Sequence, residues 1–290
     1  MIRMTSMLSF LRLLRWGMIY LGPRRDVTID TANGLLTVSS KDWLHGKYLY
    51  VKRGFEINSI HETIALLRKE GYLDETGKGV ILDVGANLDM FCIPLVKQGY
   101  FQRAIAFEPA PETYRLLAHN ISQNNLRERI DCFNYALSSV AGALELELSD
   151  DNSGDHRIRY NNNQGAFREH RRRTIHVTAL TLDQFFDENP DLKNHDVTLI
   201  WLDIQGHEGH FFEGAKRSLH PGIVVISEFW PYAIARSGLS RSDYLRIVSN
   251  IFTHFYHSGA GYFDKRPIAE IDQLFDLYRD PKQMCTVILV

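Results

Sequence analysis

The chain has 290 residues, of which 44% are hydrophobic and 23% are charged, and its formal net charge is −2. This composition is ordinary for a soluble globular protein. The near-neutral charge gives no global electrostatic case for nucleic-acid binding, so we expect no nucleic-acid partner. No stretch approaches the ~20 uninterrupted apolar residues of a membrane span.

The three cysteines, Cys92, Cys132 and Cys285, are scattered and form no C-x-x-C motif. All three lie in or beside apolar runs, which favours buried free thiols in a reducing compartment. We therefore expect a cytoplasmic protein.

Residues 7–21 are apolar, with Arg12 and Arg15 interrupting the run. The run has no small-residue cleavage site, so we do not expect a signal peptide. Two alternatives stay open for a helix here. It packs on the domain or on a partner, or it lies on a membrane surface with its arginines outward and makes the protein peripheral to the membrane.

The segment that follows predicts a cap over a larger domain. Residues 27–38 alternate apolar and polar side chains around Asn33-Gly34, which predicts a hairpin. Residues 48–51 predict a second extended piece, and residues 58–70 predict a helix with Asn58 as its N-cap. We expect residues 1–77 to form this N-terminal segment and residues 78–290 to form the main domain.

Strand and helix patterns alternate through the main domain, which predicts an α/β fold with a doubly wound, mostly parallel sheet. The polar residues 150–173 predict a loop or a long hairpin tip. The predicted strands are 80–84, 104–108, 130–135, 143–148, 175–180, 197–203, 223–229 and 285–290. The predicted helices are 90–98, 111–124, 182–188 with Thr181 as its cap, 208–218 and 240–251.

Two acidic turns suggest a nucleoside-containing cofactor. The short apolar run at 80–82 ends in Asp83 and Gly85, as a buried strand does when it opens into a ligand-binding turn. Glycine there allows a close approach of backbone to ligand. Glu108 follows the next predicted strand, where an acid is well placed to accept both hydroxyls of a ribose.

The turn argues against a dinucleotide. A dinucleotide-binding turn has the pattern G-x-G-x-x-G, whereas residues 85–90 contain one glycine and an acid, Asp89. Asp89 would repel a pyrophosphate, so a nicotinamide-dependent oxidoreductase is the least favoured interpretation. A cationic ligand such as S-adenosylmethionine (SAM) is more compatible with Asp83 and Asp89.

Four motifs occur in order: D-V-G-A-N at 83–87, F-E-P at 107–109, N-Y-A-L-S at 134–138 and L-D-I-Q-G-H-E at 202–208. Together they resemble the FkbM family of SAM-dependent methyltransferases over roughly residues 55–230. The resemblance implies a class I methyltransferase fold, which is Rossmann-like, and SAM as cofactor. It also implies methylation of a hydroxyl oxygen on a glycan, glycolipid or small natural product.

Three positions depart from the family pattern. Asp89 stands where a second glycine is expected, Trp201 replaces a lysine, and Gln205 replaces the first glutamate of a later motif. These departures motivate an alternative, a binding or scaffold protein that keeps the fold without methyl transfer. The sequence does not specify the acceptor or the oligomeric state.

The cofactor-binding residues that we predict lie after successive strands. We expect Asp83, Gly85 and Asn87 at the amino-acid end of SAM, and Glu108 at the ribose. Tyr135 and Ala136 match positions at which the family contacts adenine. A plain strand-to-helix turn, a capping acid or core packing is the alternative at these positions.

The catalytic residues that we predict are Asp203, Glu228 and His207. Asp203 ends a predicted strand at the carboxyl edge of the sheet. It could orient the acceptor hydroxyl, act as the base or hold the methionine ammonium group. Glu228 ends the next strand and could share these roles, and His207 is a second candidate base.

Two further clusters give weaker signals. His207, Glu208 and His210 suggest a metal site, but two histidines and an acid make a weak case for zinc, and we expect no metal. An arginine cluster in the polar loop would suit an anionic substrate or would simply be solvated; its members are Arg168, Arg171, Arg172 and Arg173.

Overall fold

The computed structural model describes residues 2–161, 163–193, 197–259 and 262–290. The remaining positions fall within the predicted segments 1–77 and 78–290, and residue 162 falls within the predicted loop 150–173. Those positions lie outside the described residues.

The N-terminal segment contains three helices and a hairpin. In chain order the elements are α1 (Ile2–Leu21), β1 (Asp26–Thr31), β2 (Gly34–Ser39), α2 (His45–Lys52) and α3 (Ile57–Lys69). The predicted hairpin is confirmed, with β1 and β2 antiparallel. The helix predicted over residues 58–70 is also present, as α3.

Two local predictions for this segment were wrong. Residues 48–51 are helical, because α2 packs on α1 through Gly46, where a Cβ atom would lie 2.4 Å from the Trp16 ring. The extended conformation that residues 48–51 predict is overridden by that helix contact. The residue that precedes α3 is Glu56, with φ +47°, and not Asn58.

The rest of the chain supplies twelve strands and eight α-helices within the described residues. The strands are β3 (Val80–Val84), β4 (Arg103–Phe107), β5 (Ile130–Phe133), β6 (Ala136–Leu137), β7 (Gly142–Glu147), β8 (Arg157–Ile158), β9 (Thr174–Leu180), β10 (Val197–Leu202), β11 (Val224–Phe229), β12 (His254–Gly259), β13 (Tyr262–Pro267) and β14 (Cys285–Leu289). The helices are α4 (Cys92–Lys97), α5 (Pro111–Gln123), α6 (Leu182–Glu188), α7 (Pro190–Lys193), α8 (Glu208–Gly214), α9 (Pro231–Arg236), α10 (Arg241–Ser249) and α11 (Asp272–Leu277).

The central sheet has eight strands in the order β13-β12-β14-β11-β10-β3-β4-β5. Strands β5, β4, β3, β10 and β11 are parallel, whereas β14 is antiparallel to both β11 and β12. This confirms the predicted α/β fold, and the predicted strand 285–290 inserts into the sheet as β14. Successive residues such as Ile81 and Leu82 enter different apolar cores, so both faces of the sheet are covered.

The predicted strands 143–148 and 175–180 do not join this sheet. They form β7 and β9 of a second, four-stranded sheet with the order β6-β9-β7-β8. Strand β7 carries several exposed residues, whereas β3 is buried throughout. The sequence pattern identified both strands but not their partners, and it did not predict the β12-β13 hairpin.

Asparagine side chains attach the N-terminal hairpin to the main domain. Asn120 of α5 accepts a hydrogen bond from the Thr37 N–H at 2.7 Å and donates to the Leu88 carbonyl at 3.0 Å. Asn33 of the hairpin turn donates to the Met90 carbonyl at 2.8 Å. These buried bonds fix the cap beside the turn that follows β3.

The ends of three parallel strands are tied together at one edge of the sheet. The N–H of Asp203 donates to the Val84 carbonyl, and the N–H of Gly85 donates to the Phe107 carbonyl, both at 3.0 Å. Gly85 has φ +88°, and a Cβ atom there would lie 2.0 Å from the Asp203 carbonyl oxygen. Glycine is therefore required at this position both by the backbone conformation and by the close approach.

We expect Gly85→Ala to lower the free energy of unfolding by at least about 2 kcal/mol, because it combines an unfavourable φ with a backbone clash. Gly71→Ala is the matched control, since Gly71 has φ +77° but a Cβ atom added there would meet no atom within 4 Å. Urea unfolding measures both variants. Equal losses in the two would show that the contact between the turn and Asp203 contributes nothing.

Candidate active site

A cavity of about 590 Å³ lies at the carboxyl edge of the parallel strands, a size typical of small-molecule sites. From β3 the chain continues to β4 and β5 on one side of the sheet, whereas β10 and β11 lie on the other side. Open α/β sheets bind ligands at such switch points, where the strand order reverses. Most of the predicted site residues line the cavity: Gly85, Asn87, Glu108, Tyr135, Ala136, Asp203, His207 and Glu228. Asp83 is buried beneath the turn and is not among the lining residues.

Glu108 supports the turn after β3 with both of its carboxylate oxygens. Oε2 accepts from the Asn87 N–H at 3.1 Å, and Oε1 accepts from the Ala110 N–H at 2.8 Å. Burial nevertheless raises the pKa of Glu108 to about 7. Each oxygen keeps a further lone pair, so the carboxyl can also accept hydrogen bonds from a bound ligand.

Asn87 joins the turn to two other parts of the chain. Its side-chain amide donates to His45 Nδ1 at 3.3 Å, and its Oδ1 lies 3.1 Å from the Ser153 hydroxyl. His45 belongs to the N-terminal cap, and Ser153 belongs to the predicted loop 150–173. Because both segments line the cavity, they help to enclose whatever binds at the turn.

Asp89, which replaces the expected glycine, has φ +62°, the left-handed conformation that glycine adopts readily. Its side chain is buried away from the cavity, where Oδ1 accepts from the Ile93 N–H at 3.0 Å. Burial raises the pKa of Asp89 to about 7. The acid therefore occupies the glycine position without projecting into the ligand space.

Within the described ranges, Asp83, Asp89 and Cys92 bring three potential metal ligands within 4.8 Å of one another. Burial, followed by the neighbouring Asp89, raises the pKa of Asp83 well above its usual range. Burial also raises the pKa of the Cys92 thiol. The Cys92 thiol hydrogen-bonds to Asp83, whereas Asp83 Oδ2 and Asp89 Oδ2 are buried without a hydrogen-bond partner among the described residues. The expectation of no metal therefore stays a prediction.

Gln205 bridges the two acids that the sequence predicted as a catalytic pair. Its Nε2 donates to Asp203 Oδ1 at 2.8 Å and to Glu228 Oε2 at 3.1 Å. Burial, together with the charge of Asp203, raises the pKa of Glu228 well above its usual range, and burial raises the pKa of Asp203. The structure thus brings both acids to one side of the cavity and holds them with a neutral donor.

His207 and His210 form a stacked pair, of which His207 lines the cavity. His207 Nε2 is 2.9 Å from the Ser138 hydroxyl, and its ring stacks on His210 with 4.3 Å between centroids. Burial lowers the pKa of His207 to about 3, so the ring is neutral at pH 7. A base with so low a pKa accepts a proton poorly, although a neutral ring can still hydrogen-bond a substrate.

Three aromatic residues, Phe55, Phe91 and Trp201, form an aromatic wall in the lining of the cavity. Trp201, which stands where the family has a lysine, stacks on Phe91 with 4.0 Å between ring centroids. Phe91 in turn meets the edge of Phe55 from the cap. Sequence reasoning missed Phe55 and Phe91 because nothing local marks an aromatic residue as lining a distant site.

Sequence reasoning also missed two charged residues of the cavity, Glu56 and Arg157. Burial, and then the charge of Asp203, raises the pKa of Glu56. Arg157 is buried over the Trp230 ring at 4.7 Å. Glu56 lies in the predicted N-terminal segment and Arg157 in the predicted loop 150–173, and only the fold brings them to the cavity that Asp203 also lines.

The predicted arginine cluster does not gather at the cavity. Arg172 pairs with Asp155 and lies 3.6 Å from Glu147, so it belongs to a buried ionic network within the second sheet. The other three members, Arg168, Arg171 and Arg173, are exposed. None of the four arginines lines the cavity. An anionic substrate at this cluster stays a prediction without support from the geometry.

Glu208 generates a prediction about stability and pH. Its Oε1 accepts from two backbone N–H groups, those of Ile204 and Gly206, while Oε2 is buried without a hydrogen-bond partner. Burial raises the pKa of Glu208 from its usual 4.5 to about 7. The folded state therefore holds the proton more tightly, and its contribution to stability is lost as the pH rises from about 4.5 to about 7.

We expect Glu208→Gln to reduce the pH-dependent loss of unfolding free energy by an amount on the order of 3 kcal/mol, because glutamine does not ionise. Urea unfolding near pH 5 and near pH 8 measures it. Glu213→Gln, on the same helix but half-buried, is the control. An unchanged difference between the two pH values in the Glu208 variant would contradict the assignment.

Comparison with known proteins identifies a family for most of this domain. Residues 83–262, more than half of the chain, match the family model described as the Methyltransferase FkbM domain. Two curated relatives match shorter stretches. A tRNA (guanine(37)-N(1))-methyltransferase from Aedes aegypti is 34% identical over 82 residues, 28% of this chain. Methyltransferase sdnD from Sordaria araneosa is 35% identical over 66 residues, 23% of this chain.

The matched stretches span 14% and 26% of the lengths of these two relatives. Among solved structures, the methyltransferase FkbM from Methylobacillus flagellatus is 14% identical, with a TM-score of 0.42 over 84% of this chain and 52% of its own. The O-methyltransferase from Bacillus cereus in complex with SAH is 12% identical, with a TM-score of 0.39 over 80% of this chain and 89% of its own.

Proposed function

This chain belongs to the FkbM family of SAM-dependent methyltransferases, and we propose that it transfers a methyl group from SAM to a hydroxyl of a glycan, glycolipid or small natural product. The family confirms the class I methyltransferase fold, the Rossmann-like sheet and SAM as the cofactor that the sequence predicted. The observation that carries the proposal is the pair of bridged acids at the edge of the cofactor cavity.

The residues present fit SAM on chemical grounds. SAM carries sulfonium and ammonium charges, and the cavity concentrates carboxyl groups: Glu56, Glu108, Asp155, Asp203 and Glu228. Glu108 would accept the ribose hydroxyls, Tyr135 and Ala136 would flank the adenine, and Asn87 and Asp203 would hold the methionine part. Asp83 would act from beneath the turn, as a support for it.

When bound, SAM supplies an already activated methyl group, so the protein must position the acceptor and manage one proton. Asp203 and Glu228 are the candidates to orient the acceptor hydroxyl and accept its proton. Burial raises the pKa of both groups, which makes each carboxylate a stronger base in its ionised form. Gln205 would hold the pair in place, and His207 would serve as a hydrogen-bonding partner of the acceptor.

The lining of the cavity suits a hydroxylated acceptor. Carboxylates accept hydrogen bonds from hydroxyl groups, and the aromatic wall of Phe55, Phe91 and Trp201 offers apolar surface to the ring of a sugar or natural product. The cap and the loop 150–173 both contribute to this side of the cavity. These features support a small-molecule or glycan acceptor.

The direct test is transfer of radiolabelled methyl from SAM to panels of soluble glycans, glycolipids and hydroxylated natural products. Label in an alkali-stable ether product supports the proposal. A folded protein that binds SAM but methylates no hydroxylated acceptor would favour the alternative, a catalytically inactive member that serves as a binding or scaffold protein.

We expect Glu108→Ala to weaken SAM binding at least about tenfold, because it removes the proposed acceptor for two ribose hydroxyls. Calorimetric titration measures the affinity, and circular dichroism checks that the variant is folded. Glu112→Ala, on the exposed first turn of α5, is the control. Unchanged affinity in the Glu108 variant would remove this residue from the ribose role.

We expect Asp203→Asn to lower kcat by about a hundredfold, within the usual range for a lost general base or orienting acid. Asparagine keeps the oxygen that accepts from Gln205, so unfolding in urea should change much less. Glu228→Gln, measured beside it, reveals which acid contributes more to turnover. A full methylation rate in the Asp203 variant would exclude Asp203 as base or essential orienter.

A further inference from the structure

Helix α1 exposes apolar side chains around most of its circumference. Within residues 7–21 only Trp16 is fully buried, whereas Phe10, Met18 and Leu21 are 58%, 68% and 83% exposed. The exposed large apolar residues of this helix are Met7, Leu8, Phe10, Leu11, Leu13, Leu14, Met18 and Leu21. A contiguous apolar surface of this kind marks an interaction site.

The charge of the same segment has one sign. Residues 1–25 contain five arginines and neither aspartate nor glutamate, although the whole chain carries a net charge of −2. Arg15 is exposed among the apolar residues, and Arg25 is exposed just after the end of the helix. Arg24 pairs with Glu112 of α5, and Arg12 donates to the Val51 carbonyl. Basic residues on and beside an exposed apolar surface are attracted to the headgroups of anionic lipids, while the apolar side chains favour the membrane interface.

The helix is firmly seated on the protein, next to the cavity. Trp16 packs against Gly46 of α2, and Lys41 Nζ caps the C-terminal end of the helix by donating to the Gly22 carbonyl at 2.7 Å. The exposed apolar surface continues onto α2 and the residue before it, since Tyr48 and Leu44 are also exposed. Leu44 lines the cavity, so this surface borders the cavity mouth.

We propose that α1 docks on the surface of a membrane that contains anionic lipid, with the cavity mouth beside Leu44 turned toward the lipid. The exposed apolar side chains enter the interface, and Arg15 and Arg25 pair with lipid phosphates. Tyr48 touches the edge of Phe55, with 5.5 Å between ring centroids. An apolar path therefore leads from the docking surface to the aromatic wall of the cavity.

A second copy of the chain fits this surface less well. A twofold contact places the same patch on both sides of the interface. The exposed Arg15 would then be present on both sides of the interface, with no acidic residue within residues 1–25 to pair with it. Anionic lipid supplies the missing opposite charge. Because the exposed apolar side chains surround most of the helix, a membrane interface can cover more of them than one flat protein surface can.

Flotation with vesicles tests the proposal on the full chain. We expect binding to phosphatidylcholine vesicles that contain phosphatidylglycerol, and binding weakened by about fivefold or more in neutral vesicles or at high salt. The triple variant Phe10→Glu, Leu14→Glu, Met18→Glu should bind more than about tenfold more weakly, because burial of each apolar side chain is lost. Tyr48→Glu should weaken binding to a smaller extent.

The matched control is Val140→Glu with Leu277→Glu, two exposed apolar residues outside the patch, which should bind vesicles as the unmodified protein does. Calorimetry with SAM runs in parallel, and all variants should retain the cofactor affinity. If the triple variant does not fold, Met18→Glu alone replaces it.

Three outcomes would overturn the proposal: no binding of the unmodified protein to anionic vesicles, equal binding of the triple variant, or a dimer in sedimentation that the triple variant dissociates. Because SAM binding is measured separately, a protein that binds SAM but not vesicles contradicts the docking surface alone and leaves the proposed methyl transfer intact.

Discussion

The register of the parallel strands is the constraint on which the site depends. Backbone hydrogen bonds tie the ends of β3, β4 and β10 together, so the residue after each strand emerges at the same edge of the sheet. Gly85 permits this approach because any side chain there would collide with the Asp203 carbonyl. Glu108, Asp203 and Glu228 lie at the ends of separate strands, and the register brings all three to the lining of one cavity.

Several carboxyl groups of the protein are buried, and burial raises their pKa values. Glu108 and Glu208 both have pKa values raised to about 7, and the pKa of Glu228 is raised well above its usual range. Acids held in this state cost stability as they ionise. A cationic ligand in the cavity offsets that cost, so binding of the cofactor should stabilise the fold by mass action.

The departures from the family pattern are explained in part by the fold. Asp89 adopts the left-handed conformation of a glycine and turns its carboxyl inward. Trp201 extends an aromatic wall instead of presenting a charge, and Gln205 bridges two acids. None of the three side chains fills the cavity, which keeps a volume of about 590 Å³.

Much of the central domain could be predicted from the sequence, because its strands are short buried runs that end in distinctive turns. The Asn33-Gly34 hairpin and the Thr181 cap, which accepts from the Gln184 N–H at 3.0 Å, are likewise local signals. Long-range pairing was not accessible: the second sheet, the β12-β13 hairpin and the lining role of Glu56 and Arg157 all depend on contacts between distant segments. Residues 48–51 show the same limit, since a helix contact decides their conformation.

No helix in the described part of the chain is long and apolar enough to span a membrane. A cytoplasmic location stays a prediction, and so do the absence of a nucleic-acid partner and the boundary between residues 77 and 78. The membrane-docking surface on α1 is independent of these points, because it rests on exposed side chains and on charge.

The most direct test of the account is calorimetric titration of the unmodified protein with SAM, with its demethylated product and with NAD. We predict micromolar or tighter binding of SAM and of the product, stronger at pH 8 than at pH 6 because Glu108 ionises in this range, and no binding of NAD. A folded protein that binds neither SAM nor its product, or that binds NAD instead, would contradict the central claim that this cavity is a SAM site.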